Sequence, residues 1–301
     1  MATLTKTRIR PLKGVHVLSL SLNLPGPAAL MRCQQMGASC VKLEPPGPPG
    51  SAPGTSGDPM GMYNRTAFNV LHHGMRLAVA DLKTEKGQRT LHRELAKADI
   101  LLTSFRPSAL KKLGLDWKLL HLLYPTLSQV AIVGAPGLRA EEPGHDLTYV
   151  AENDLVNGLE LPATLYADMG GSLMASEAVL QAALLQKQGK SLYLEVALSE
   201  AAAYLALPRT WGLTQPGAAV GGGHAGYRVY ACKDGRVAVA ALEPHFAKAL
   251  CAASQVPYVN VLTMLSAQTH DLIATYLRGM TRSELDTLAR DKDIPLFTLA
   301  P

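Results

Sequence analysis

The feature that most constrains the fold lies near the amino-terminal end. Val15-His16-Val17-Leu18-Ser19-Leu20-Ser21 is an apolar run of strand length. Pro25-Gly26-Pro27 breaks it, and a helical run from Pro27 to Met36 follows with proline in its first turn. Gly37 ends that helix. Ser39 to Glu44, centred on Cys40-Val41-Lys42-Leu43, reads as a second strand. A strand, a helix and a strand in this order form a β-α-β unit, which implies a parallel sheet with a right-handed crossover. The apolar stretch from Gly14 to Leu24 follows basic residues, as the core of a signal peptide would. It alternates like a strand and is cut short by the Pro-Gly-Pro break, so a first core strand is expected instead.

The pattern repeats downstream. A Pro/Gly-rich loop runs from Pro45 to Pro59, long enough to suggest a functional role. Leu77 to Ala80, Ile100 to Ser104 and Leu127 to Val133 read as strands, and Lys83 to Lys97 as an amphipathic helix with Leu91 and Leu95 on its apolar face. An Ala/Leu-rich helix is predicted over Met169–Gln188, a strand over Leu192–Val196 and a helix over Ser199–Trp211. The fold class expected is α/β: a Rossmann-like, doubly wound large domain over residues 1–214. Residues 215–223, rich in glycine, read as a linker. Beyond it the pattern changes to a β-hairpin, Tyr227-Arg228-Val229-Tyr230 and Arg236-Val237-Ala238-Val239-Ala240 about the turn Lys233-Asp234-Gly235. Helical sequence follows to about Arg290, giving a smaller α+β domain over 224–295.

Composition narrows the function. The 301 residues are 48% hydrophobic and 18% charged, which suits a globular enzyme with a sizeable core. The net charge of +5 favours an anionic partner. Aromatics are 5% and no basic block is long, so a phosphate-bearing small molecule is expected and a nucleic acid is not. No other apolar stretch is long enough to span a membrane. Cys33, Cys40, Cys232 and Cys251 are scattered with no CxxC pair, so no metal site is expected, and unpaired cysteines suit a reducing, cytoplasmic setting. No GxGxxG loop follows the first strand, which disfavours NAD.

Several segments, in order, resemble the class III CoA-transferase (CaiB/BaiF) family, which includes the 2-methylacyl-CoA racemases. They are Pro11-Leu12-Lys13-Gly14-Val15, Gly26-Pro27, Gly37-Ala38 leading to Lys42-Leu43-Glu44-Pro45, and Ala80-Asp81-Leu82-Lys83. Phe105-Arg106-Pro107, Leu113-Gly114-Leu115, Gly144-His145-Asp146, Asp168 before Gly170-Gly171, Tyr227-Arg228-Val229-Tyr230, Asp234-Gly235-Arg236 and Glu243-Pro244 complete the set. The resemblance implies an interlocked homodimer with active sites between domains of different subunits, and an acyl-CoA thioester as substrate. Coenzyme A then enters as part of the substrate and no separate cofactor is implied. The sequence departs from the pattern at His72-His73-Gly74-Met75, where the family carries Asn-Arg-Gly-Lys. It also ends just after a stretch similar to the family's Ile-Pro-Val, so 296–301 is expected to be a truncated C-terminal segment.

The α-proton of an acyl thioester is acidic because the enolate delocalises onto the carbonyl oxygen. Racemisation needs an acid and a base on opposite faces and a dipole at the oxygen. His145 follows a Pro-Gly turn and precedes a helix expected to start near Asp146, a position that keeps imidazole neutral, although a loop or capping histidine reads the same way. Asp168 stands before Met169-Gly170-Gly171 and a long helix, where an N-cap is the simpler reading. Gly170 and Gly171 are expected to let a ligand approach the helix amides as an oxyanion site. By resemblance, Asp168 matches both the racemase acid/base and the transferase nucleophile, and Glu243 matches a carboxylate that tunes the histidine. Resemblance also implies that Ala80 and Leu82 flank the adenine of CoA, with Phe105 and Arg106 nearby. Arg106 and Lys112 are candidate phosphate partners. The expectation is a racemase using His145 and Asp168. The alternatives are a CoA transferase acting through an Asp168 mixed anhydride, with Gly221-Gly222-Gly223 as its shielding loop, and a non-catalytic CoA-binding paralogue.

Overall fold

The computed structural model describes residues 9–52 and 54–301. The chain divides into two compact units, one ending at Ala206 and the other running from Leu207 to Pro301. The break falls earlier than the Gly-rich segment at 215–223 suggests, so 207–214 lies with the second unit.

The first unit opens with β1 (His16–Ser19), α1 (Pro25–Gln35) and β2 (Ser39–Glu44). Two short helices follow that the sequence pattern does not foretell, α2 (Pro59–Tyr63) and α3 (Arg65–Leu71), capped by the side chains of Asp58 and Asn64. Then come β3 (Arg76–Val79), α4 (Glu85–Leu95), β4 (Ile100–Thr103), α5 (Pro107–Lys112), α6 (Trp117–Leu123), β5 (Ser128–Val133), α7 (Asp146–Glu152), α8 (Tyr166–Gln186), β6 (Tyr193–Ala197) and α9 (Leu198–Leu205). The six strands form one parallel sheet in the order β3-β2-β1-β4-β5-β6. This is the doubly wound α/β arrangement expected.

Alternation along the strands explains the two covered faces. Val17, Ile100, Leu102, Val130 and Ile132 face a core shared with Leu30 of α1 and Ala175, Val179 and Ala182 of α8. Leu18, Leu20, Leu43 and Leu101 point the other way, against Leu91 and Leu95 of α4, Leu110 of α5 and Leu120 of α6. Central β4 and β5 are buried throughout, whereas edge strand β3 is largely open. The winding reverses between β1 and β4. In such sheets the chain leaves a crevice beyond the carboxyl ends of those strands, where ligands bind.

The second unit begins with a short turn of helix, α10 (Leu207–Thr210), and builds a three-stranded antiparallel sheet. Strands β7 (Tyr227–Cys232) and β8 (Gly235–Ala240) form the expected hairpin, closed at Cys232 opposite Gly235. The helices α11 (Pro244–Ala253), α12 (Ala267–Arg278) and α13 (Arg282–Lys292) pack on one face through Leu250, Ile273, Leu277 and Leu285. The segment expected to be a truncated end is structured: β9 (Leu296–Leu299) pairs with β8, Arg236 opposite Leu299 and Val239 opposite Leu296. Its four residues are too few to show a two-residue period in the sequence, and only the pairing reveals them as a strand. No helix among the described residues is long and apolar enough to cross a membrane.

Candidate active site

Loops at the carboxyl ends of the sheet converge on a cleft of about 180 Å³. Leu22 and Asn23 enter it after β1, Ser104, Phe105 and Arg106 after β4, and Gly134 after β5. His145 and Asp168 lie on the same wall system, so the two residues proposed for proton exchange do meet at one cleft.

His145 is the N-cap of α7. The hydroxyl of Thr148 accepts its backbone N–H at 3.1 Å and donates to its carbonyl at 2.7 Å, which fixes the turn and leaves the ring exposed. The next residue, Asp146, is buried, and its Oδ1 accepts the backbone N–H of Asp168 at 2.9 Å. Asp168 is therefore held against α7 by its main chain while its carboxyl remains at the cleft. Burial pushes that carboxyl up to about 6, the neighbouring Asp146 carboxylate adds to the rise, and His145 opposes it. A carboxyl near 6 can both give and take a proton near neutral pH. Asp146 was visible in the sequence only as the end of Gly144-His145-Asp146, with no role attached.

The structure corrects the reading of the segment after Asp168. Helix α8 starts at Tyr166, so Asp168 is in its first turn and is not the N-cap. Gly170 and Gly171 lie past the amides that a helix end leaves free, and they do not offer an oxyanion site. Their smallness serves packing: a Cβ on Gly171 would come 2.3 Å from Leu198 Cδ2, and one on Gly170 would come 3.1 Å from Leu205 Cδ1, both on α9.

A second, larger cleft of about 980 Å³ lies beside the first and shares Phe105 with it. Leu82, Lys83, Arg89, His92 and Lys112 line it. Of the five residues expected to bind CoA, Leu82, Phe105 and Lys112 line this cleft and Arg106 lines the smaller one. Ala80 lines neither; it is buried in the core with Leu91 and Leu101. Glu243 belongs to the second unit, where it is exposed and its carbonyl caps α11 by accepting the N–H of Ala247 at 2.9 Å.

One buried cluster has the composition of a metal site: Glu44, Asp58 and His72, whose ligand atoms lie within 4.8 Å of one another. Lys42, fully buried, takes the place of a cation there. Its Nζ contacts Glu44 Oε1 at 2.6 Å and Asp58 Oδ2 more closely still. His72 Nδ1 donates to the carbonyl of Phe68 at 2.6 Å, and burial with the Lys42 charge holds its ring below the usual histidine range. The sequence signal was an alternating Lys42-x-Glu44 in an otherwise apolar strand, which puts both charges on one face.

A doubly wound sheet thus carries a carboxyl and an imidazole in one cleft, beside a second cleft lined by cations. The sequence profile of the CoA-transferase family III matches residues 12–300, and the chain belongs to that family. It is 38% identical over 140 residues to the cinnamoyl-CoA:phenyllactate CoA-transferase of Clostridium sporogenes, covering 45% of this chain and 34% of that protein. It is 29% identical over 254 residues to the human alpha-methylacyl-CoA racemase, covering 78% of this chain and 62% of that one. The chain thus spans less than two thirds of either relative. Its fold matches the crystal structure of a hypothetical protein from Mycobacterium tuberculosis with a TM-score of 0.82 and 22% identity, covering 97% of this chain and 86% of that one.

Proposed function

We propose that this chain is a racemase of 2-methylacyl-CoA thioesters in which His145 and Asp168 exchange the α-proton. One group removes the proton from one face of the α-carbon. The electron pair passes to the carbonyl oxygen as an enolate, and the other group returns a proton from the opposite face. In the reverse direction the roles swap. The observation that carries this reading is Asp168 raised to about 6 in the same cleft as the exposed ring of His145. The larger cleft, with Leu82, Phe105 and the cations Lys83, Arg89 and Lys112, suits the adenine and phosphates of CoA, and Arg106 stands where the thioester arm would pass. CoA is part of the substrate and no separate cofactor enters. Glu243 completes the assignment as the carboxylate that tunes the histidine. A homodimer belongs to the reading as well: Leu159, Leu161, Leu165, Met169 and Leu173 leave apolar side chains exposed around the start of α8 that a second copy would cover.

The transferase reading would use Gly221-Gly222-Gly223 as its shielding loop. Those glycines are packed into a tight turn of their own. A Cβ on Gly221 would meet the carbonyl oxygen of Gln215 at 1.9 Å, and one on Gly223 that of Gly217 at 2.2 Å. Glycine is required there by the turn itself.

The test is isotopic. A single epimer of a 2-methylacyl-CoA is incubated with the protein in deuterated water with no acceptor acid. Deuterium wash-in at the α-carbon with loss of optical purity is expected. Replacing either Asp168 or His145 by Ala should slow it by about 10³-fold. CoA exchange that requires an added carboxylate, depends on Asp168 and survives His145→Ala would replace the racemase with a transferase.

A further inference from the structure

An enolate needs a hydrogen-bond donor at its oxygen, and the amides of Gly170 and Gly171 are committed inside α8. The cleft holds another candidate. Asn23 follows β1 at the switch point, and its backbone sits at φ 62°, in the left-handed region that asparagine tolerates better than most residues. The turn is held there from both sides. The N–H of Asn23 donates to Asp58 Oδ1 at 3.2 Å, and Asp58 is itself clamped by buried Lys42. The preceding N–H, that of Leu22, donates to Ser104 Oγ at 3.2 Å, tying the turn to the end of β4. This also commits Ser104 Oγ as an acceptor.

The carboxamide of Asn23 is treated differently from its main chain. The residue is half-buried and lines the cleft that holds His145 and Asp168, and no hydrogen bond joins its carboxamide to another described residue. A doubly anchored turn that places a residue with an uncommitted amide in a reaction cleft is the arrangement of a preorganised donor. We propose that the Asn23 Nδ2–H group donates to the thioester carbonyl oxygen of the bound acyl-CoA and holds it more tightly as it becomes the enolate oxygen. This rests on the racemase reading above and adds a third catalytic residue to it. Asn23 keeps its protons throughout; it stabilises charge and transfers nothing.

Asn23→Gly is the incisive variant, because glycine takes the left-handed backbone without strain and removes only the carboxamide. The expected result is a fall in kcat for α-deuteration of about 100-fold with KM changed by less than about threefold. A kcat within about threefold of the parent protein overturns the proposal. A second measurement needs no turnover. Acetoacetyl-CoA carries an acidic position whose enolate absorbs in the near ultraviolet. Bound to the parent protein it should show the enolate band at a lower pH than in free solution, and bound to Asn23→Gly it should not. Equal bands in the two proteins overturn the donor role. An Asn23-dependent band in a protein that neither deuterates nor transfers would sink the racemase reading and leave the donor standing.

Discussion

Two of the clusters of charged groups in the first unit, those around Lys42 and Asp168, are built on opposite plans. Around Lys42 each charged side chain has a partner of opposite sign, and the cluster is closed from water: Lys42, Glu44 and Asp58 are buried and paired, and Asp58 also receives the N–H of Met60 at 3.0 Å. Around Asp168 the partners are withheld. The Asp146 carboxylate pushes the Asp168 carboxyl up, no salt bridge among the described residues pairs either of them, and the ring of His145 stays exposed. Charges that are buried and ion-paired hold a turn in place. Groups left short of partners have protonation states close in energy, which proton transfer requires. Titratable side chains alone therefore do not mark a site; the unpaired ones do.

Three substitutions sharpen or break this contrast. Lys42→Met should cost the most stability, about 3–5 kcal/mol in urea unfolding, because it leaves two carboxylates buried without their cation. A loss below about 1 kcal/mol would mean the Lys42 cluster is not the structural member of the pair. Gly171→Ala comes next, at about 1–3 kcal/mol, since the added methyl must push Leu198 and with it α9. Thermal unfolding and the deuteration rate should fall together, because α8 carries Asp168. Asp168→Asn has the smallest effect and the opposite sign. The folded state holds the Asp168 proton more tightly than the unfolded chain does, so that carboxyl favours folding only at low pH and its contribution is lost as pH rises through about 6. Replacing it should therefore stabilise the protein by on the order of 1–2 kcal/mol at pH 8 and by almost nothing at pH 4, while deuteration stops. Equal unfolding midpoints of parent and variant at pH 8 would contradict a strained carboxyl. In the parent protein, whichever epimer Asp168 deprotonates should lose rate as pH falls through about 6.

Much of the fold was legible because it rests on strong local signals. The long apolar strands and Gly37 punctuation predict β1, α1 and β2 closely, and Tyr227 to Ala240 predicts the hairpin. What was illegible lies where partners far along the chain decide. Helix α8 extends upstream to Tyr166 because Asp146, 22 residues earlier, accepts the N–H of Asp168. That contact turned an expected cap into a first-turn residue and turned two expected ligand-facing glycines into packing glycines. Helices α2 and α3 emerged from a segment whose Pro/Gly content masks Asp58 as a cap. At the site, His145 and Asp168 could be named from motifs, but Asn23 could not. Its role depends on a left-handed backbone and on Asp58, and neither leaves a mark on the residues flanking it.

Helix α8 has 21 residues, about 30 Å of rod, with the Asp168 carboxyl near one tip. Its small-residue face lies flush on α1 and α9, and Arg32 Nε donates to Ser176 Oγ at 3.0 Å midway along it. Moving that carboxyl by an ångström would mean sliding the whole rod through close-packed neighbours. The opposite wall of the cleft is built from turns, among them that of Leu22 and Asn23, held by side chains of neighbouring loops. If the racemase proposal holds, substrate range should track the composition of those turns, with α8 as the fixed post against which an acyl group is measured.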